Sequence, residues 1–164
     1  FTSNVDGQFQ KAGFSGKLVH ECHGSIHHLQ CLDGCMGDIW PAEDFSPVVD
    51  EETGQLTSEF PHCPYCDEIA RPNILMFGDG GWLGYRAELQ EANFQAWRRN
   101  VRRPVVIEIG AGHGIPTVRR FGEAQNGFLI RINPNEPEVN GLACMSFRIG
   151  GLEALRGIET ALGA

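Results

Sequence analysis

The spacing of apolar and polar positions divides the chain into three stretches. Residues 1–5 are short and mixed and predict the end of a strand, with Asp6 placed to cap a helix over 7–12 that Gly13 ends. Residues 17–22 are apolar enough for a second short strand. From Ser25 to Arg71 no helical period survives. Cys, Gly, Pro and acidic residues dominate there, and only 48–56 has a recognisable form, a hairpin turning near Thr53-Gly54. A short apolar strand over 74–77 follows. Tyr85, Leu89, Ala92 and Ala96 then recur at helical spacing and predict a helix over 85–100, ended by Pro104. Val105–Ile109 is a run rich in β-branched residues that predicts a buried parallel strand. Gly110-Ala111-Gly112-His113-Gly114 comes next, and a helix over 116–124 with Pro in its first turn. Phe128–Ile132 reads as another buried strand stopped by Asn133-Pro134, 147–149 as a last short strand, and 152–162 as a C-terminal helix. Strand–helix alternation on both sides of a polar insertion predicts an α/β fold with a parallel sheet.

Composition narrows the class. The 164 residues suffice for one compact domain carrying a small insertion, and 41% apolar with 21% charged residues is ordinary globular usage. A net charge of −8 argues against a nucleic-acid backbone as direct partner, while suiting a lysine-rich peptide. Arg98, Arg99, Arg102 and Arg103 form the one basic cluster and read as a solvated helix end. No apolar run could span a bilayer, and no signal-peptide or lipidation pattern is visible in these residues. The chain opens on Phe1 in mid-motif, so the expectation is that an upstream part is missing.

Four of the six cysteines form two close pairs, Cys31/Cys35 and Cys63/Cys66, flanking the polar stretch. Facing loops of this kind supply four thiolates to a tetrahedral zinc, with Gly34 bending the first and Pro64 stiffening the second. Four thiolates leave no open position, so the metal is expected to be structural. His27, His28 and His62 are weaker candidates, and Cys22 and Cys144 read as core residues. Reduced, metal-binding cysteines place the chain in an intracellular, cytoplasmic compartment.

His23, at a strand end before Gly24-Ser25, is a candidate general base because imidazole titrates near neutrality. Asn4 and Asp6 would share a side if the strand ran through them, or simply cap the helix. The glycine turn after Val105–Ile109 would admit a nucleotide. It also looks like the opening motif of S-adenosylmethionine-dependent methyltransferases, although 54 residues follow Gly110 and Asn133-Pro134 stands where an acidic ribose ligand is expected. A non-catalytic zinc-stabilised binding module is the third reading.

Taken in order, Thr2-Ser3-Asn4-Val5-Asp6, His23-Gly24, the two cysteine pairs, the stretch from Arg71 to Asp79, Gly110-Ala111-Gly112 and Ile132-Asn133-Pro134 resemble the sirtuin family of NAD-dependent protein deacylases. The resemblance implies a Rossmann-like sheet over 1–28 and 72–164 with a zinc-ribbon-like module over 29–71. It implies that His23 is the general base, acting with Asn4, and that Ser3, Asn4, Val5 and Asp6 line the nicotinamide and ribose pocket. Gly110, Ala111, Gly112 and Asn133 would serve the rest of NAD. Ile74, Phe77 and Gly78 would pair with an acylated-lysine peptide as an added strand. Ser3 stands where the family has Gln, Ala111 and Gly112 where it has hydroxyls, and Asp79 where it has Glu. The family's opening phosphate loop is not in these residues. The chain therefore reads as the C-terminal portion of such a deacylase, expected to bind NAD poorly or not at all and to have weak or no activity alone.

Overall fold

The structure, a computed structural model, describes residues 1–141 and 143–163. The chain divides into two compact units, Phe1–Trp97 and Arg98–Ala164. Among the described residues no helix is long and apolar enough to cross a membrane.

The first unit is built on β1 (Gly24–Cys31), with β2 (Ile39–Pro41) and β3 (Ala70–Ile74) on either side of it, and on helices α1 (Gln8–Lys11) and α2 (Tyr85–Arg98). Both strand pairs are antiparallel. The parallel sheet that the strand–helix alternation predicts is found in the second unit, and this sheet around the cysteine pairs differs from it. A parallel return needs a crossover of a dozen or more residues, usually helical. The connection from Cys31 to Ile39 is too short for that, so β1 and β2 pair antiparallel, and β3, on the other side of β1, runs in the same direction as β2. The segment between β2 and β3 holds turns and a hairpin. That hairpin matches its expected position: Val49 bridges Leu56, and Asp50 Oδ1 accepts the Thr53 backbone N–H at 2.7 Å.

Three strand expectations shift. Residues 17–22 give a 3₁₀ turn at Gly16–Leu18, and residues 1–5 contribute one bridge, Thr2 to Glu21. The strand expected over 74–77 lies at Ala70–Ile74, because pairing with β1 rather than local hydropathy defines it. Pro72 is tolerated there because β3 is an edge strand.

The second unit carries β4 (Val105–Ile109), α3 (Thr117–Glu123), β5 (Phe128–Ile132), β6 (Cys144–Phe147) and α4 (Gly151–Leu162). Its sheet is parallel in the order β4-β5-β6. β4 and β5 keep the expected bounds, whereas the last strand precedes 147–149. β4 is not the buried apolar strand that its sequence predicts: Glu108 is its buried residue, and Val105, Ile107 and Ile109 are exposed. The reason lies in α3, which covers one face only. Gly122 lets that helix come down on Val106, Glu108 and Leu129, where an added Cβ would lie 3.2–3.7 Å from their side chains.

Candidate functional site

The thiolate cluster closes as the spacing predicts. Cys31 ends β1, Cys35 follows a turn in which Gly34 takes φ 65°, and Cys63 and Cys66 bracket a second turn ended by Asp67 at φ 63°. The four sulfurs lie within 4.8 Å of one another, with Cys31–Cys66 at 3.7 Å and Cys35–Cys63 at 3.6 Å. Disulfides, at about 2.05 Å, are excluded. Four thiolates about 2.3 Å from a tetrahedral zinc stand roughly 3.8 Å apart, so the donor set fits that ion. The backbone N–H of Cys35, above all, holds the Cys31 thiol down at about 7, while contact with the Cys66 sulfur, then burial, pushes Cys35 up to about 12. Four sulfurs this close cannot all ionise without a cation, which makes the cluster complementary to a dication. His27 donates to the Asp6 carbonyl and His62 Nδ1 bonds the Asp67 carbonyl, so neither joins the cluster. Asp38 ties this knot to α2: it accepts from Tyr65 at 2.5 Å and from Tyr85 at 3.2 Å, and Tyr65 holds its carboxyl below the usual range.

The segment carrying Ser3, Asn4, Val5 and Asp6 brackets the His23 turn. The Thr2 carbonyl accepts from the Cys22 N–H at 3.1 Å on one side, and the Val5 carbonyl accepts from the Ile26 N–H at 2.9 Å on the other. Asn4 is exposed, Ser3, Val5 and Asp6 are half-buried, and the half-buried His23 has no hydrogen bond to its ring among the described residues. Beneath this turn, Glu21 is 1% exposed. Burial alone would push its carboxyl up, but Arg86 at 2.5 Å and Gln90 at 3.3 Å hold it below the usual range. Burial pushes the Cys22 thiol up to about 11, away from the thiolate form that a nucleophile needs.

On the opposite flank, the His23 carbonyl accepts from the Leu75 N–H at 3.0 Å, so β1 and the end of β3 close around Gly24. Gly24 has φ 81°, and a Cβ there would stand 2.0 Å from the Asn73 carbonyl oxygen. Gly24→Ala is therefore expected to cost about 2–3 kcal/mol from the left-handed backbone and the clash together. A thermal midpoint equal to that of the unsubstituted protein would refute this. On its second edge β3 is held at its start, where the Ala70 N–H donates to the Pro61 carbonyl at 2.7 Å, and past that point has no strand partner among the described residues; Ile74 at its end is half-buried and Phe77 beyond it is 89% exposed. Gly78 turns at φ 68° into Asp79, which is clamped by Arg71 at 2.7 and 2.9 Å. The same loop is tied inward by Asn73 and Gln30, buried side chains that bond each other at 2.8 Å and reach the Leu83 and Gly81 carbonyls at 3.0 and 2.8 Å. Nothing in the sequence marks Gln30 and Asn73 as a pair, since 43 residues separate them.

In the second unit, the Gly110-Ala111-Gly112 turn and Asn133 sit at the carboxyl ends of β4 and β5, where open α/β sheets bind ligands. Gly110 has φ 74°, and the Ala111 carbonyl accepts from Asn133 Nδ2 and Arg119 Nε, both at 3.0 Å. Glu136 is a site residue that the motif reading passes over. Its Oε2 accepts from the His113 N–H at 2.8 Å and lies 3.1 Å from where a Gly112 Cβ would be. Its three-residue offset from Asn133 was the available signal.

An α/β protein with a thiolate-stabilised sheet and a nucleotide-type glycine turn is the class defined by these units. The Sir2 family model matches residues 1–115, and the chain belongs to that family. It is 31% identical over 159 residues to an NAD-dependent protein deacylase of Thermus thermophilus, covering 94% of this chain and 53% of that protein. It is 32% identical over 133 residues to a probable bifunctional ADP-ribose hydrolase/ADP-ribosyltransferase of Fusarium oxysporum, covering 73% of this chain and 22% of that protein. A structure of Sir2Tm bound to a propionylated peptide superposes with a TM-score of 0.64 at 23% identity, over 98% of this chain and 62% of that one. The chain thus spans about half the length of the curated deacylases that it matches.

Proposed function

We propose that this chain belongs to an NAD-dependent protein deacylase acting on acylated lysine. The observation that carries the proposal is the bracketing of His23 between the Asn4 segment and the extension of β3. Within this reading, residues 29–71 are the zinc-binding module and 1–28 with 72–164 the NAD-binding fold. The four reduced cysteines suit a cytoplasmic, reducing compartment. The family match leaves the methyltransferase and binding-module readings without support.

When bound, NAD supplies an electrophilic sugar carbon that the acyl oxygen can attack as nicotinamide leaves. His23, whose ring has no competing partner among the described residues, accepts the proton of a ribose hydroxyl. Asn4 and Asp6, with Ser3 and Val5, orient nicotinamide and its ribose. The edge of β3 past Ala70, with Ile74, Phe77 and Gly78, receives the peptide as an added strand, reading backbone more than sequence. At the second turn, Gly110, Ala111, Gly112 and Asn133 form the cradle. The Glu136 carboxylate there suits ribose hydroxyls better than a diphosphate, as acidic residues do in dinucleotide folds.

Mass spectrometry of an acetyl-lysine peptide incubated with NAD and the parent deacylase to which we assign this chain tests this. Deacetylation is expected, falling by roughly 10²–10⁴ in His23→Ala. Equal turnover by the variant removes His23 from its role. A peptide that instead gains ADP-ribose would replace deacylation by the transfer named for the Fusarium relative.

A further inference from the structure

Arg119, 4% exposed, is a buried cation for which the proposed chemistry has no part. It stands in the first turn of α3, whose other buried residue is Gly122. All three guanidinium nitrogens end on backbone carbonyls. Nε donates to Ala111 at 3.0 Å, Nη1 to Glu138 at 3.3 Å, and Nη2 to Glu136. The Glu136 carboxylate stands off at 3.9 Å. A planar fork with fixed donor directions holds three pieces of chain in one arrangement, which an apolar side chain of like size would not do. The pieces are α3, the Gly110–Gly112 turn and the loop after β5, and the last two are the walls of the proposed cradle.

The Ala111 carbonyl carries the consequence. It accepts from Arg119 Nε and from Asn133 Nδ2, both at 3.0 Å, so both of its lone pairs are engaged within the unit. In a planar trans peptide the following N–H points the opposite way. The Gly112 N–H is therefore directed away from Arg119, and no acceptor among the described residues takes it. In the facing loop, Asn133 Oδ1 accepts the Asn135 and Glu136 N–H groups at 2.9 Å, and Arg119 fixes the Glu136 carbonyl. The Glu136 carboxylate is thereby kept beside Gly112, on the His113 N–H at 2.8 Å. We propose that Arg119 is a positioning residue for the dinucleotide, holding the Ala111–Gly112 peptide with its N–H free for the ligand and Glu136 next to it. The assignment rests on the NAD reading of this turn.

Calorimetry of NAD binding to the parent deacylase tests this, with deacetylation kinetics measured beside it. Arg119→Met is expected to weaken NAD by roughly tenfold or more, since a donor displaced by an ångström no longer meets its acceptor. KM for NAD should rise by the same factor. kcat and the KM for the acetyl-lysine peptide should not change, because the turn holds ground state and transition state alike. A purely structural role would instead lower the thermal midpoint and the active fraction, hence kcat, and leave the NAD affinity of the folded protein unmoved. Arg119→Lys, which keeps the charge without the fork, takes the place of Arg119→Met if the latter does not fold, and should weaken NAD in the same direction. Unchanged NAD affinity in the folded variant used overturns the proposal, as does failure of both variants to fold. A parent protein whose NAD affinity depends on Arg119 in this way, yet which turns over no acylated peptide, would sink the deacylase reading and leave the positioning role standing.

Discussion

Cys63→Ser, or stripping the metal with a strong chelator, is expected to abolish the cooperative unfolding transition of the Phe1–Trp97 unit. Cys63 is 2% exposed and Cys31 ends the central strand, so the cluster lies where β1, β3 and the turns meet. The apolar core of this unit is small: Val19, Leu29, Ala70 and Ala87 are its buried members besides the two cysteines. Between Leu32 and Ile69 the described apolar side chains are largely exposed, Met36 at 68%, Val48 at 59% and Phe60 at 59% among them. Structural zinc supplies on the order of 10–16 kcal/mol in small modules, as much as the whole stability of an ordinary domain. Without it, nothing in that segment offsets the entropy of ordering it. All three tryptophans lie in this unit, and the ring of Trp40 packs edge-on at 6.4 Å from Tyr65, between the second pair of cysteines. Emission should therefore shift to the red as zinc leaves. Acid should act in the same direction, because the ligands bind as thiolates and falling pH protonates them. A metal-free protein retaining native emission and a sharp melt would disprove the structural role.

What the sequence disclosed and what it concealed differ by range of interaction. The cysteine turns, the 48–56 hairpin, β4 and β5 are written in short patterns and are found where those patterns put them. β1 was hidden because a bulge between Ser25 and Leu29 breaks its alternation, and His27, His28 and Gln30 make it read as polar loop. The antiparallel course of the first sheet was hidden for a different reason, since direction is set by a return path and not by any residue in the strands. Of the candidate site, His23 and the Asn4 segment were legible as motifs, but the carbonyl pairing that brackets one with the other joins residues about twenty apart. Glu136 was legible only through its three-residue offset from Asn133, and the Gln30–Asn73 clamp not at all. Polar side chains in loops and strands carry no mark of the partner that buries them.

The clearest case of a concealed partner is the pair that organises the second unit, and it yields the other large effect. Glu108 and Arg131 are directly opposite in the β4–β5 register. Both side chains are 2% exposed, and they meet at 2.5 and 3.0 Å in a two-pronged contact. Arg131 also reaches the Glu123 carboxylate at 2.9 Å and the Glu138 carbonyl at 2.8 Å, fastening the loop after β5. Glu108→Gln leaves the guanidinium buried against a neutral amide, with the half-exposed Glu123 as its only carboxylate partner among the described residues. Removing one member of such a pair typically costs about 3–5 kcal/mol, most of it the stranded charge. Amide exchange across β4 and β5 should quicken accordingly, whereas Glu123→Gln, removing the solvent-side partner, should change it far less. Replacing both members, Glu108→Leu with Arg131→Met, removes the buried charges together. The exchange rates in the strands should then recover most of the way, while those of residues 136–139 should not, because the tie to Glu138 is gone. Equal exchange in Glu108→Gln and the unsubstituted protein would mean that the pair contributes packing and no electrostatic constraint, and the sheet would need another explanation for carrying two charges at its centre.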